Sequence, residues 1–355
     1  MRAMKADRYV AYVSTYTTKG DAHGIKIYDV DLEQGRLIEK DQVKITNSSY
    51  VTISHNGKFL YSITDTGVEA YRIDPASGEL EILGHGSING MRGCYLSTDY
   101  SDSYLFVAGY HDGKLTVLRL NEDGSIGEIT DEVFHKGLGS IAERNFRPHI
   151  SCVKMTRDNK YLLAADLGMD HVNVYRFDHT TGRVKQIDMI RSDIESAPRH
   201  VKFTKDGKFL YIVHELKNFI DVYRYEEVKG NPEFDKIQTI STLNDYHAGG
   251  SAACTLNFSM DDNYIISSNA GDNSVVVYRV DHETGELTKL LCLPISGDYP
   301  KDANFFPDLR HIVSLNHESN TMTFFNVDLD RGLLVMNGRE IPVDKPNCII
   351  FHKLD

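Results

Sequence analysis

Arg199 and Glu215 stand on either side of an Asp206-Gly207 turn signal. If the chain folds back there as a two-stranded hairpin, Arg199 falls opposite His214 or Glu215, at the end away from the turn. A guanidinium at that point could hold a substrate anion or a developing oxyanion, and the carboxylate could act as general base on water. The same two residues could equally form a structural ion pair tying two strands, and their types alone leave both readings open. His149, in Arg147-Pro148-His149-Ile150-Ser151, is a second candidate acid or base, a role for which histidine is the commonest side chain. Its other reading is a rim histidine bonded to a neighbouring loop. Lys301 follows Pro300 as Arg199 follows Pro198, which makes it either an anion ligand or a solvated rim cation.

The segments that must position these residues repeat. Leu210-Tyr211-Ile212-Val213 has counterparts centred on Tyr12, Tyr61, Phe106, Leu163, Ile266 and Val313, at intervals of about 50 residues, the period of a propeller blade. A turn precedes most copies (Asn56-Gly57, Asp158-Asn159, Asp206-Gly207, Asp261-Asp262), and an alternating strand follows, as in Val172-Asn173-Val174-Tyr175 and Val275-Val276-Val277-Tyr278. An Asp-x-x-x-Gly loop comes next (Asp31 to Gly35, Asp74 to Gly78, Asp178 to Gly182, Asp281 to Gly285), then a short fourth strand. These are strand and hairpin signals with no competing helical period. The pattern predicts an all-β fold, a seven-bladed β-propeller of four-stranded antiparallel blades. The first unit lacks its own first strand, and Lys345-Pro346-Asn347-Cys348-Ile349-Ile350-Phe351 matches the missing piece. The C-terminal strand is therefore expected to close the ring by joining the N-terminal blade, which removes an open edge. No segment reads as a linker, so residues 1–355 are read as one domain.

Carrying the hairpin reasoning through the other units gives a ring of rim pairs: Ser49 with Asp65, Cys94 with Tyr110, Ser151 with Leu167, Cys254 with Ala270, Lys301 with His317, and Asn347 with Tyr16. One mouth of the channel thus collects Arg199, His200, Glu215, Lys301, His317, Tyr16, Tyr110 and Asp65, with His149 and Arg147 just before one strand. That is a polar funnel with a basic sector, suited to a small carboxylate or phosphate. Within it His200 and His214 alternate away from the Arg199/Glu215 face and are expected to pack between blades. The cysteines at or beside the ring, Cys94, Cys254, Cys152 and Cys348, read as small packing residues, since no paired histidine is evident.

Composition narrows the classes. A formal charge of −12 argues against a nucleic-acid surface. Five cysteines without a CxxC fit a reducing compartment rather than a disulfide framework or zinc site. Met1 to Asp7 carries no apolar core of a signal peptide, and no apolar run reaches roughly 18 residues, so a cytoplasmic chain with no membrane partner is expected. The absence of tryptophan speaks against a WD40 scaffold, and the repeated Gly-Gly doublets of a kelch propeller are missing. Asn121-Glu122-Asp123-Gly124 resembles half a calcium loop but reads as a turn, and the 15 histidines show no zinc spacing, so no metal or cofactor is called for.

Pro198-Arg199-His200, Asp206-Gly207-Lys208-Phe209-Leu210-Tyr211 and His214-Glu215-Leu216 resemble the seven-bladed lactonase family, which includes propeller-type 6-phosphogluconolactonases and fungal carboxymuconate-lactonising enzymes. Tyr12-Val13-Ser14-Thr15-Tyr16-Thr17, Ala165-Asp166-Leu167-Gly168 and Ser268-Asn269 with Gly271-Asp272-Asn273-Ser274 extend the likeness along nearly the whole chain. The resemblance implies a metal-independent propeller acting on lactones or their hydroxy acids, with arginine, histidine and glutamate in one channel mouth. Arg199 and Glu215 stand where the family has its arginine and glutamate, and His149 matches the first histidine of its Pro-His-x-His element. Ser151 replaces the second histidine, Pro300-Lys301 a Pro-Arg, Cys94-Tyr95 a Cys-His, Thr255 a glutamate and Ala270 an arginine. The implied function is a hydrolase opening a sugar lactone, 6-phosphogluconolactone among the candidates. Glu215 would activate water or protonate the ring oxygen, His149 would complement it, and Arg199 and Lys301 would bind the anion. His317, Arg147, Tyr16, Tyr110 and Asp65 would complete the substrate rim. Two alternatives stand beside it: a cyclase closing an unsaturated dicarboxylate, and a non-catalytic propeller binding a small anion or a protein.

Overall fold

The second strand of each repeat is the most apolar segment of its unit, and it is buried along all or nearly all of its length, as in Phe59–Thr64, Tyr161–Asp166 and Phe209–His214. Burial on both faces requires a sheet covered on both sides. The computed structural model, which describes residues 7–17, 22–140, 145–247 and 249–355, meets that requirement with seven antiparallel sheets. Neighbouring sheets cover each other through apolar clusters, such as the one joining Phe106, Val153, Leu163 and Val201. The outermost strands face solvent on one side, and Arg183–Arg191 alternates accordingly. No α-helix forms among the described residues, and none is therefore long and apolar enough to cross a membrane.

Five sheets have four continuous strands. In the sixth blade the inner strand is interrupted into Ala252–Ala253 and Asn257–Phe258, both paired with Tyr264–Ala270. In the seventh the outer strand is interrupted into Leu333–Met336 and Ile341–Pro342, both paired with Thr321–Asp328. The strand Pro346–Lys353 pairs antiparallel with Tyr9–Thr15 and completes the first blade, so the ring closes as the sequence predicts.

The recurrent Asp-x-x-x-Gly loop and the abundant tyrosines have one physical explanation. The loop aspartate accepts from the backbone inside the turn, Asp281 Oδ1 from Glu283 N at 2.8 Å and Thr284 N at 2.9 Å. The closing glycine then lies against the anchor strand of the preceding blade. Gly285 sits at φ 79°, and a Cβ there would come within 2.2 Å of the Phe209 ring. Its carbonyl accepts a hydrogen bond from Tyr211 Oη at 2.8 Å. The same tyrosine clasp recurs from Tyr12 to Gly78 O (2.7 Å), Tyr61 to Gly124 O (3.1 Å) and Tyr161 to Gly230 O (2.9 Å). Each clasp satisfies a tyrosine hydroxyl and ties one blade to the next.

Candidate functional site

The pairing of the fifth blade explains how one strand presents consecutive residues to the axis. Val201 pairs with Ile212 and His200 with Val213, but Pro198 pairs with His214, so Arg199 is an extra residue in a β-bulge. A bulge turns the extra side chain toward the same side as its neighbour. The same irregularity occurs at Ser151, at Lys301 and at Asn347 in the closing strand. Alternation alone predicts that His200 points away from Arg199. The bulge overrides it, and both residues line one cavity, as do Lys301 and Asp302.

The loops that enter these strands are held in an uncommon conformation. Ala197, Tyr299 and Lys345 each precede a proline and have φ of 60°, 60° and 44°. Left-handed geometry before proline is costly and needs support. A side chain from the preceding blade supplies it: Asp170 Oδ1 accepts from Ala197 N (2.8 Å), Asn273 Oδ1 from Tyr299 N (2.9 Å) and Asn320 Oδ1 from Lys345 N (3.0 Å). The carbonyls of Ala197, Tyr299 and Lys345 in turn accept from the backbone N–H of Glu215, His317 and Tyr16. A fixed loop thus sets three rim side chains at equivalent points of three blades.

The cavity at this end of the channel has a volume of about 350 Å³ and draws lining residues from every blade. Arg199, Glu215, Lys301, His317, Tyr16 and Tyr110 all border it. The Arg199 guanidinium Nη1 donates to Glu215 Oε2, in a pair whose side chains are 21% and 3% exposed. Burial by itself pulls the guanidinium down, but the facing carboxylate outweighs it and the net shift is upward. The Lys301 ammonium lies 5.1 Å above the Tyr299 ring.

His317 Nδ1 lies 3.3 Å from the Pro346 carbonyl oxygen. A carbonyl only accepts, so Nδ1 carries the hydrogen and the neutral ring keeps Nε2 as its acceptor. Burial first, and Lys301 next, hold this imidazole below its ordinary titration range. His200 is pushed down further, by burial and then by Arg199 and Lys202.

Three sequence candidates do not line the cavity. His149 is buried beneath the wall, stacked on Tyr110 with centroids 4.3 Å apart, its Nδ1 donating to Tyr110 O at 2.6 Å. Its backbone N–H is held by Asp166 Oδ1. Arg147 is exposed, its guanidinium 5.7 Å from the Phe146 centroid. Asp65 is exposed and accepts from Thr46, Asn47 and Arg92. The rim pair Ser49 and Asp65 therefore does not form, because Asp65 is turned to these three partners and the Ser49 hydroxyl donates to Gly93 O at 3.3 Å.

Arg92 and His111 line the cavity without having been singled out from the sequence. Arg92 sits 4.4 Å above the Tyr16 ring and 3.3 Å from Asp65 Oδ1. Its place just before Gly93-Cys94, at the entry of a first strand, was the available signal. The Ser151 hydroxyl is occupied by the Arg199 carbonyl at 2.9 Å. The Cys94 thiol points to Ile150 O at 3.3 Å and is pushed up to about 12 by burial, with Arg199 pulling the other way. Neither group is an activated nucleophile. The cavity floor is a cluster of rings: Tyr50 and Tyr95 lie 4.3 Å apart, and Tyr95 and His200 5.3 Å.

Outside the channel mouth, His135, Asp166 and His171 place potential metal-ligand atoms within 4.8 Å of one another. His135 is already bonded on both sides, Nδ1 to Asp166 Oδ2 at 2.6 Å and Nε2 to Tyr175 Oη at 2.8 Å.

Together these features define a seven-bladed propeller with a polar cavity on its axis. The chain belongs to the family described as lactonase, 7-bladed beta-propeller, whose profile matches residues 10–351. It is 32% identical over 349 residues to a 6-phosphogluconolactonase of Bacillus subtilis, covering 97% of this chain and 98% of the relative. A 6-phosphogluconolactonase of Formosa agariphila is 26% identical, covering 94% and 96%. The solved structure of a periplasmic gluconolactonase from Pseudomonas aeruginosa superposes with a TM-score of 0.89 at 27% identity, covering 97% and 99%.

Proposed function

We propose that this protein hydrolyses a sugar lactone, with 6-phosphogluconolactone the first substrate to test, and that the reaction takes place in the cavity beside Arg199. The observation that carries the reading is the combination in one cavity of a buffered guanidinium, a second cation and an imidazole whose free nitrogen is an acceptor. Arg199 and Lys301 bind the negative groups of the substrate and the oxyanion that forms as water adds to the lactone carbonyl. His317 takes the proton from that water and returns it to the departing ring oxygen. Glu215, already engaged by Arg199, is a weaker base than its position in the hairpin implies, and its part is to orient the guanidinium. His149 acts from behind the wall by fixing Tyr110. Blade six offers only Thr255 to the lining, which leaves room between Arg199 and Lys301 for the sugar ring. Relatives named as 6-phosphogluconolactonases and a gluconolactonase support this substrate class.

The partner is then a small anionic sugar derivative, and the formal charge of −12 favours neither nucleic acid nor an anionic membrane surface. Five free cysteines, four of them buried, support a cytoplasmic location. Residues 1–355 are read as one functional unit. The test is ring opening of 6-phosphogluconolactone and of gluconolactone, measured against the spontaneous rate, with wild type, Arg199→Met and His317→Asn. Turnover by wild type that falls about a hundredfold or more in His317→Asn supports the assignment. Wild-type rates equal to the spontaneous rate refute it.

A further inference from the structure

The channel has a second cavity, of about 270 Å³, on the far side of the Tyr50–Tyr95 floor. Alternation along the innermost strands decides what faces it. Two residues beyond Cys152 and His200 come Lys154 and Lys202, paired in register with Leu163 and Tyr211 on adjacent blades. Both lysines are partly buried and both line this cavity. The corresponding residues of other blades are neutral: Thr52, Asn304 and Ile350. The two cations are therefore a local feature and not a consequence of the fold.

Neither ammonium has an ion-pair or hydrogen-bond partner among the described residues. The carboxylate bordering the cavity, Asp302, is committed elsewhere: Oδ1 accepts from Thr255 Oγ1 (2.6 Å), Asn257 Nδ2 (2.8 Å) and Ala303 N (2.9 Å), and Oδ2 from Ile349 N (2.9 Å). Arg157 adds further positive charge near Lys154, its Nε bonded to Thr204 O at 3.1 Å. His55 lies in the same field and is depressed by burial first and Lys154 next. The Lys154 ammonium is itself pushed down to about 7, by burial, then by Lys202 and Arg157. Two partly desolvated cations that repel each other are unfavourable in an empty cavity and favourable around an anion. The contrast with the other mouth is direct, since there the partly buried guanidinium has its own carboxylate.

We propose that this second cavity is a binding site for a phosphate dianion, free or as a small monoester, held between Lys154 and Lys202. Its two negative charges match the two ammonium groups, and its oxygens accept from both. The site lies across the channel floor from the lactone cavity, with Tyr50 and Asp302 bordering both, and does not depend on the reading given to that cavity.

Titration of the purified protein with inorganic phosphate, and in a second arm with glucose 6-phosphate, tests the proposal by calorimetry at constant ionic strength. Saturable binding is expected that weakens roughly tenfold or more in Lys154→Met and in Lys202→Met. In Arg199→Met, which removes anion binding at the lactone cavity, this binding should stay within about twofold, and it should vanish there once both lysines are replaced. Binding of both anions identifies a general phosphate site, and binding of the ester alone a monoester site. Absence of saturable binding in Arg199→Met, or its persistence there once both lysines are replaced, overturns the proposal. On the unmodified chain, trinitrobenzenesulfonate near pH 7.5 should label Lys154 ahead of other lysines, and phosphate should slow that labelling. Labelling indifferent to phosphate contradicts the site even if a variant fails to fold.

Discussion

Replacing Glu215 by glutamine separates the two roles that residue can play. The glutamine keeps the shape and an oxygen to accept from Arg199, but removes the charge facing a guanidinium that is 21% exposed. Breaking a fully buried pair costs about 3–5 kcal/mol. Arg199 opens onto the cavity, where water can solvate it, so about 2 kcal/mol is the expected loss. In a chain of this size that lowers the melting temperature by about 2–6 °C, measurable by calorimetry. For activity, a residue that only orients Arg199 should lower kcat/KM about tenfold, whereas loss of a general base lowers kcat by about 10²–10⁴. His317→Asn should show the larger loss. The pH profile adds a readout that a structural defect does not mimic. His317 must be neutral to act, and its depressed titration keeps it neutral to below its ordinary value. The wild-type rate should therefore hold at pH 6.5 and fall at lower pH. Glu215→Gln should leave that limb in place, and His317→Asn should remove it. A Glu215→Gln enzyme with the greater kcat defect and no acidic limb, beside a nearly normal His317→Asn enzyme, would refute the assignment of roles.

Gly285→Ala should destabilise the fold by about 2–5 kcal/mol, from left-handed strain and overpacking against Phe209, read as a lower denaturant midpoint. Stability should also fall as the solution is acidified from about pH 7 to 5.5. His200, His214 and His317 have folded titration points below the unfolded value of about 6.5. In that window the unfolded chain binds protons that the folded chain refuses, so stability is full above about pH 6.5 and is lost on descending from it, by as much as about 1.4 kcal/mol per group and pH unit. Melting temperatures that are flat or rising on acidification would contradict the buried neutral histidines. Cys94→Ser should retain activity within about threefold, and Cys94 should resist iodoacetamide at pH 8, because its thiol is pushed up to about 12.

The propeller was legible because its repeat is a physical necessity. A doubly covered anchor strand must be apolar, and the loop after the third strand of the next blade must end in a glycine where Phe209 or Val10 leaves no room for a Cβ. Arg199 with Glu215 was legible for a related reason, since hairpin counting is accurate to one residue and a guanidinium reaches across that uncertainty. His200 was misplaced because alternation does not announce a bulge. His149, Arg147 and Asp65 were counted on the rim because positions just before a strand follow loop geometry, which the repeat does not determine. Arg92 was missed for the same reason, as it enters the cavity from a loop rather than from a strand. The tyrosine clasps also went unread, because each joins residues of two blades that no local pattern connects.

The central claim is that the cavity beside Arg199 opens lactones, and the rate of acid release from 6-phosphogluconolactone, with gluconolactone alongside, tests it most directly. Turnover well above the spontaneous rate is expected, abolished by Arg199→Met with the fold intact and unchanged in Lys154→Met, across the channel floor. Hydrolysis no faster than in buffer, or an Arg199→Met protein as active as wild type, would contradict it.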